Sequence, residues 1–210
     1  MNIFYDILDR KRLDILPLFK SFKEKFYLAG GTGLALQLGH RDSVDFDFFA
    51  PDHFDTVLFY NNLLNIFQGK KIIKTLEDKD SLSVVINKDI RLSFLRYPYA
   101  LLNLYIDEKN LKIASLEDIA CMKLSAVVSR AAWKDYVDLY FIFKKISLRA
   151  LLEKMNQIMP DLDQNLILKS LVYFEDVADE PIMFKHGFNV SRREVEKFLI
   201  KQVKAFNILK

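Results

Sequence analysis

Residues 26–49 read FYLAGGTGLALQLGHRDSVDFDFF. The stretch divides into a strand, a glycine turn, a short helix, a loop and a second strand. Phe26-Tyr27-Leu28 is a β-prone apolar run that stops at Gly30-Gly31. A Gly-Gly pair permits backbone angles and close approaches that a Cβ blocks. Thr32 is placed to cap a helix over 33–38, and the free N–H groups at such a helix start attract an anion. After His40-Arg41 the chain reads Asp45-Phe46-Asp47-Phe48-Phe49. On a strand, alternation sends Asp45 and Asp47 to one face and Phe46 and Phe48 to the other. Two carboxylates side by side repel each other. Such an oxygen-rich pair suits Mg²⁺ or Mn²⁺, with substrate phosphate oxygens as further ligands. A phosphate cradle of Gly30, Gly31 and Thr32 followed by a metal pair of Asp45 and Asp47 is a nucleotide-handling arrangement. The plainer alternatives are a simple strand–helix turn and the polar face of an edge strand, where Asp is disfavoured.

Gly30-Gly31, thirteen intervening residues (32–44) and Asp45-Phe46-Asp47 resemble the signature of the DNA polymerase β-like nucleotidyltransferase superfamily. The fuller text, with Gly39-His40-Arg41-x-Ser43-x-Asp45, resembles the AbiEii/AbiGii toxin family within it. The resemblance spans about residues 20–180. It implies an α/β (α+β) fold: a nucleotidyltransferase-type mixed β-sheet with flanking helices, followed by a C-terminal helical bundle. It also implies transfer of a nucleoside monophosphate from an NTP to an acceptor hydroxyl, on an RNA such as a tRNA 3′ end. The role implied is the toxin of a toxin–antitoxin or phage-abortive-infection pair with a separately encoded antitoxin. In many superfamily members the second glycine is Ser; here Gly31 leaves the phosphate to backbone amides, helped by Thr32. The superfamily usually carries a third carboxylate on a later strand. The matching stretch here is Ile90-Arg91-Leu92-Ser93-Phe94, with Ser93 where the Asp would stand. That departure keeps two other readings open: nucleotidylation of a protein side chain, and a nucleotide- or RNA-binding module with weak chemistry.

The bulk properties agree with a folded enzyme of ordinary composition. The chain has 210 residues, 51% hydrophobic and 28% charged, with eighteen Phe and nine Tyr, which point to a large aromatic core. A net charge of +3 permits a nucleic-acid partner without indicating one. The single Cys121 forms no internal disulfide and fits a cytoplasmic location. The start, MNIFYDILDRKR, does not read as a signal peptide, and no apolar run has the length of a membrane span.

Along the chain, residues 2–25 read as helical, with Pro17 breaking or starting a helix. An amphipathic helix over 55–67 ends at Gly69. Three β-rich runs follow at 71–76, 82–87 and 90–97, joined by short turns, and predict an antiparallel extension of the sheet that Pro98 closes. Helices are predicted over 115–130, 134–145, 148–158, 164–174 and 192–208, with capping boxes at Ser115 and Ser191. The expected division is a core domain at 1–110 and a helical domain at 111–210, the two completing one cleft.

Lys123 sits among Ile119, Ala120, Ala126 and Val127 at helical spacing. A charge in an apolar stripe is costly unless it is paired, faces a cleft or snorkels to the surface. The toxin family has a functional Lys on this helix, so the resemblance assigns Lys123 to phosphate and catalysis. Arg130 lies two turns on along the same face. In Lys134-Asp135-Tyr136-Val137-Asp138-Leu139, one Asp belongs to the active site by resemblance: Asp135 is the first choice, as the residue that orients or deprotonates the acceptor. Asp138 is read as orienting Lys123 or Arg130 or completing a buried ion pair. Arg41 offers its planar fork to a phosphate, or else a salt bridge to Asp42 or Asp45. Ser43 is a supporting residue, His40 a structural one, and Trp133 core packing. Tyr173-Phe174-Glu175-Asp176-Val177-Ala178 resembles a C-terminal family element and reads as structural. Lys185, Arg192, Arg193, Lys197, Lys201 and Lys204 read as a solvated face or as contacts to RNA phosphates.

Overall fold

The computed structural model describes residues 2–208. The alternation in the quoted stretch builds the middle of its sheet. Strand β2 (Phe46–Ala50) buries Phe46, Phe48 and Ala50 and leaves Asp47 and Phe49 partly exposed. β1 (Tyr27–Leu28) runs antiparallel to it, and the two register Leu28 against Phe48. β5 (Ile90–Arg96) lies parallel to β2 on the other side and registers Ser93 against Asp47. β3 (Ile72–Asp78) and β4 (Ser81–Ile86) extend the sheet antiparallel beyond β5, as the three β-rich runs predict.

The sheet does not stop at Pro98. β6 (Ile106–Asp107) and β7 (Lys112–Ile113) add two short strands, and β7 pairs parallel with β1. Two-residue strands carry too little alternation to register as a pattern. Among the described residues the sheet is seven-stranded, in the order β3-β4-β5-β2-β1-β7-β6.

One face of this sheet is closed by phenylalanines. Phe46, Phe48 and Phe94 meet Phe19 and Phe22 from the N-terminal segment and Phe59 from α3 (Thr56–Ile66), mostly edge to face. That N-terminal segment is less regular than one long helix. A 3₁₀ turn precedes α1 (Arg10–Ile15), and Pro17 sits at the start of a second 3₁₀ stretch, Leu16–Ser21. Proline's missing N–H is harmless in the first turn and ends the α1 ladder before it.

On the opposite face Asp47 and Ser93 lie side by side, both partly exposed. Helix α2 (Gly30–Leu38) rises from β1 at its rim. It packs on both α4 (Leu116–Ser129) and α5 (Trp133–Phe143). α6 (Leu148–Ile158), α7 (Gln164–Ser170) and α8 (Arg192–Ile208) complete the helical region. Both predicted caps form: Ser115 accepts from Asp118 N–H, and Ser191 N–H donates to Glu194. α7 is shorter than predicted because the chain turns at Leu171 and leaves the helix before Phe174. No helix among the described residues is long and apolar enough to cross a membrane.

Candidate active site

Gly30 and Gly31 do different work. Gly30 has φ +60, and a Cβ there would stand 2.7 Å from Asp47 Oδ2. It lets the Asp47 carboxylate lie against the start of α2. Gly31 has ordinary backbone angles, but a Cβ would stand 2.7 Å from Arg41 Nη2. Its smallness makes room for that guanidinium. Thr32 is not the cap that the sequence suggests. The helix starts three residues earlier, at Gly30, with Ala29 in the cap position. The Thr32 hydroxyl is buried and lies against Ser43 Oγ (2.7 Å) and the Asp45 carbonyl. It therefore ties the loop before β2 to the first turn of α2. Arg12 holds the same loop from the other side: it is 3% exposed, and its Nε donates to the Val44 carbonyl at 2.6 Å. Sequence reasoning missed Arg12, because one Arg in an amphipathic segment looks like a solvated charge.

Asp45 is exposed just ahead of β2, and Asp47 is its partly buried neighbour two residues on. Burial raises the Asp47 pKa above the usual carboxylate range, and the charge of Asp45 raises it further. The positive charges of Lys123 and Arg130 and a hydrogen bond from Ser93 pull the other way without cancelling the rise. The pair is short of countercharge. Among the described residues no three His, Cys, Asp or Glu side chains gather into a metal-ligating group. The donor set is two carboxylates, which fits a Mg²⁺-type ion that takes its remaining ligands from water and phosphate.

Behind this pair lies a cluster with the opposite balance. Asp138 is fully buried. Arg41 grips it with both Nε and Nη2 at 2.8 Å, His40 Nε2 stands 2.9 Å away and Lys123 Nζ 2.5 Å. Burial alone would raise the Asp138 pKa, but Arg41 and Lys123 together with the bonds from Arg41 and His40 hold it well below the usual value. Burial lowers the His40 pKa, and its Nε2–H donates to the Asp138 carboxylate. Lys123 is also bonded to Asp135 at 2.6 Å, and Arg130 Nε reaches the other Asp135 oxygen at 2.9 Å.

The structure thus brings Gly30, Gly31, Thr32, Arg41, Ser43, Asp45, Asp47, Lys123, Arg130, Asp135 and Asp138 into one region drawn from α2, β2, α4 and α5. Two placements differ from what the sequence suggests. Arg41 pairs neither with Asp42 nor with Asp45 side chains; its fork is committed to Asp138 and it is 4% exposed. A partner 97 residues away leaves no local trace. Asp135 is 1% exposed, with both oxygens engaged by cations. Lys123 is buried and paired and does not snorkel. Trp133 is core: it stacks on Tyr136, and the Arg192 guanidinium lies over it at 5.0 Å. The loop at 40–42 is pinned by the C-terminal segment through Asp42 N–H to the Met183 carbonyl and Lys185 N–H to that of His40.

Comparison with known proteins places this geometry in a family. An uncharacterized protein of Aquifex aeolicus (strain VF5) is 36% identical over 189 residues, covering 86% of this chain and 87% of that one. The fold is shared with JHP933 from Helicobacter pylori (TM-score 0.59, 18% identity, 99% of this chain and 94% of that one). It is shared too with MenT4, the nucleotidyltransferase toxin Rv2826c from Mycobacterium tuberculosis H37Rv (TM-score 0.58, 15% identity, 94% and 83%). The likeness to MenT4 makes the mixed sheet with flanking helices a nucleotidyltransferase-like fold. The family model described as nucleotidyl transferase AbiEii toxin, type IV TA system, matches residues 18–206, and the chain belongs to that family.

Proposed function

We propose that this nucleotidyltransferase toxin transfers a nucleoside monophosphate from an NTP to an RNA hydroxyl, with a tRNA 3′ end as acceptor, in the cytoplasm and under the control of a cognate antitoxin. The observation that carries the reading is the undercompensated Asp45/Asp47 pair, with the Asp47 carboxylate against the helix start at Gly30. In this reading the acceptor oxygen bonds to the α-phosphorus, the bond to the β-phosphate oxygen breaks, and pyrophosphate leaves. Asp45 and Asp47 would hold Mg²⁺ or Mn²⁺, which supplies charge stabilisation for the phosphates. The amides of Gly30, Gly31 and Thr32 bind a phosphate oxygen at the start of α2. Lys123, fixed by Asp135 and Asp138, sets a positive charge facing Asp47 and the phosphates. Asp135 orients the acceptor hydroxyl or takes its proton once Arg130, the exposed partner, turns toward phosphate. Arg41 acts behind the site, through Asp138 and Lys123, in place of the direct phosphate contact that its fork suggests.

The test is incubation with Mg²⁺, each α-labelled nucleoside triphosphate in turn and total tRNA, beside an Asp45→Asn/Asp47→Asn variant. Label in RNA with the wild type alone supports the reading and names the nucleotide. Label in protein moves the acceptor to a side chain. No label with nucleotide still bound leaves a binding module, the reading that Ser93 in place of a third carboxylate favours.

A further inference from the structure

Arg130 ends α4 and has two sides. Inward it donates to Asp135; outward its side chain is 64% exposed and borders a cavity of 540 Å³ between the end of α4, α5 and the turn after α7. That volume falls within the roughly 300–1,000 Å³ of ordinary small-ligand sites. The cavity has an apolar floor at Val128, an aromatic wall at Tyr136, and a rim carrying Lys169 and Tyr173.

The rim is held in place by bonds that do not involve the exposed side chains. The Tyr136 hydroxyl lies 3.1 Å from the Ser170 carbonyl and 3.2 Å from that of Tyr173. Arg192 donates to the carbonyls of Phe174 and Val177, which fixes the next turn. Tyr173 is thus an aromatic ring on a pinned backbone, 47% exposed, with its hydroxyl bonded to Asp176. Core packing does not need a tyrosine presented in this way. Lys169 lies four residues earlier on the same turn of chain, exposed toward the same opening. Asp176 is the one acid on the lining, against the two cations Arg130 and Lys169.

An exposed ring, an apolar floor and two cations about one cavity match a base and its phosphate. Arg130 joins the cavity to the candidate active site, because it also bonds Asp135 and acts on the charge of Asp47. We propose that this cavity binds one nucleotide unit beside the transfer site, its base against Tyr173 and its phosphate between Arg130 and Lys169. This rests on the transfer reading above. The unit has two sources, the 3′-terminal nucleotide of the acceptor RNA or the incoming triphosphate.

The experiment is fluorescence anisotropy with two probes: a 5′-labelled single-stranded oligoribonucleotide with a free 3′ hydroxyl, and a fluorescent ATP analogue. Wild type is compared with Tyr173→Ala and Lys169→Ala, surface changes expected to leave the unfolding midpoint unmoved. Loss of stacking on Tyr173 should weaken one probe on the order of tenfold. Weaker RNA binding alone assigns the cavity to the acceptor end; weaker nucleotide binding alone assigns it to the incoming triphosphate. Equal binding of both probes by all three proteins, or no binding of either by the wild type, overturns the proposal. RNA labelling run in parallel judges the transfer reading separately. Labelling by the wild type with unchanged rates in both variants at subsaturating RNA and NTP sinks the cavity and leaves transfer standing. Tyr173-dependent binding without labelling supports the cavity and sinks transfer.

Discussion

At Asp138 the protein gathers Arg41, Lys123 and His40 around one buried carboxylate; at Asp47 it sets a second carboxylate, Asp45, two residues away. The first carboxylate is held well below the usual pKa and the second is raised above it. Folding alone does not ask for the second arrangement. Burying an acid costs free energy that the first cluster recovers through paired, hydrogen-bonded cations. The chain has those cations to hand, since Lys123 acts on both centres and Arg130 on Asp47, yet their direct bonds go to Asp135 and Asp138. The difference teaches where structure ends and chemistry begins. A compensated cluster holds the helical region to the sheet region, and an undercompensated one waits for charge from outside.

The comparison breaks most readily at its two acids. Asp138→Ala leaves Arg41 and Lys123 buried with one partner gone, and should cost about 3–5 kcal/mol of folding stability in denaturant titration. Asp47→Asn removes a repelled carboxylate, and should leave the unfolding free energy unchanged or slightly higher while abolishing transfer. Equal destabilisation by both would mean that the two centres are one structural network. The glycines sharpen the contrast at a smaller scale. Gly31→Ala would drive a methyl group into Arg41 and should cost about 1–3 kcal/mol by overpacking. If the loss comes through the Arg41 clamp, adding Asp138→Ala to it should cost less than the sum of the two changes.

How much of this was legible in the sequence follows from the range of each interaction. Asp45, Asp47 and the Gly-Gly turn lie within one stretch, so alternation and spacing reach them. Lys123 was legible as a charge out of place on an apolar helix face. Its pairing with Asp138 was within reach too, as the buried ion pair read for that acid, but Arg41 was not, because it finds Asp138 across 97 residues of sequence, and nothing local marks that meeting. The same holds for Arg12, whose bond to Val44 spans 32 residues. The strands β6 and β7 were lost for another reason: two residues hold no periodicity. Thr32 misled because Thr after a Gly-Gly pair matches a cap pattern, whereas the helix here begins inside the glycines.

The smallest effect concerns Ser93, which registers against Asp47 and bonds its carboxylate. Mg²⁺ binds the ionised form of a carboxylate, so the rise in melting temperature that Mg²⁺ gives should fade on acidification. Because burial and Asp45 raise the Asp47 pKa, that fade should come at higher pH than for an ordinary exposed Asp. In metal-free protein the sign is reversed. A raised carboxylate pKa means that the folded state holds the proton more tightly than the unfolded chain, so Asp47 adds stability as pH falls through its range. Asp138 does the opposite: its contribution is present above the ordinary Asp range and is lost as pH falls through its depressed pKa. Ser93→Ala removes a bond that favours the charged form of Asp47. It should therefore move the Mg²⁺ fade to still higher pH and leave the midpoint at neutral pH nearly unchanged, read by thermal melts with and without Mg²⁺ across pH. No shift, or a shift to lower pH, would detach Ser93 from the metal pair and leave the bonded cations of Asp138 and the charge of Asp45 as what sets the two acids apart.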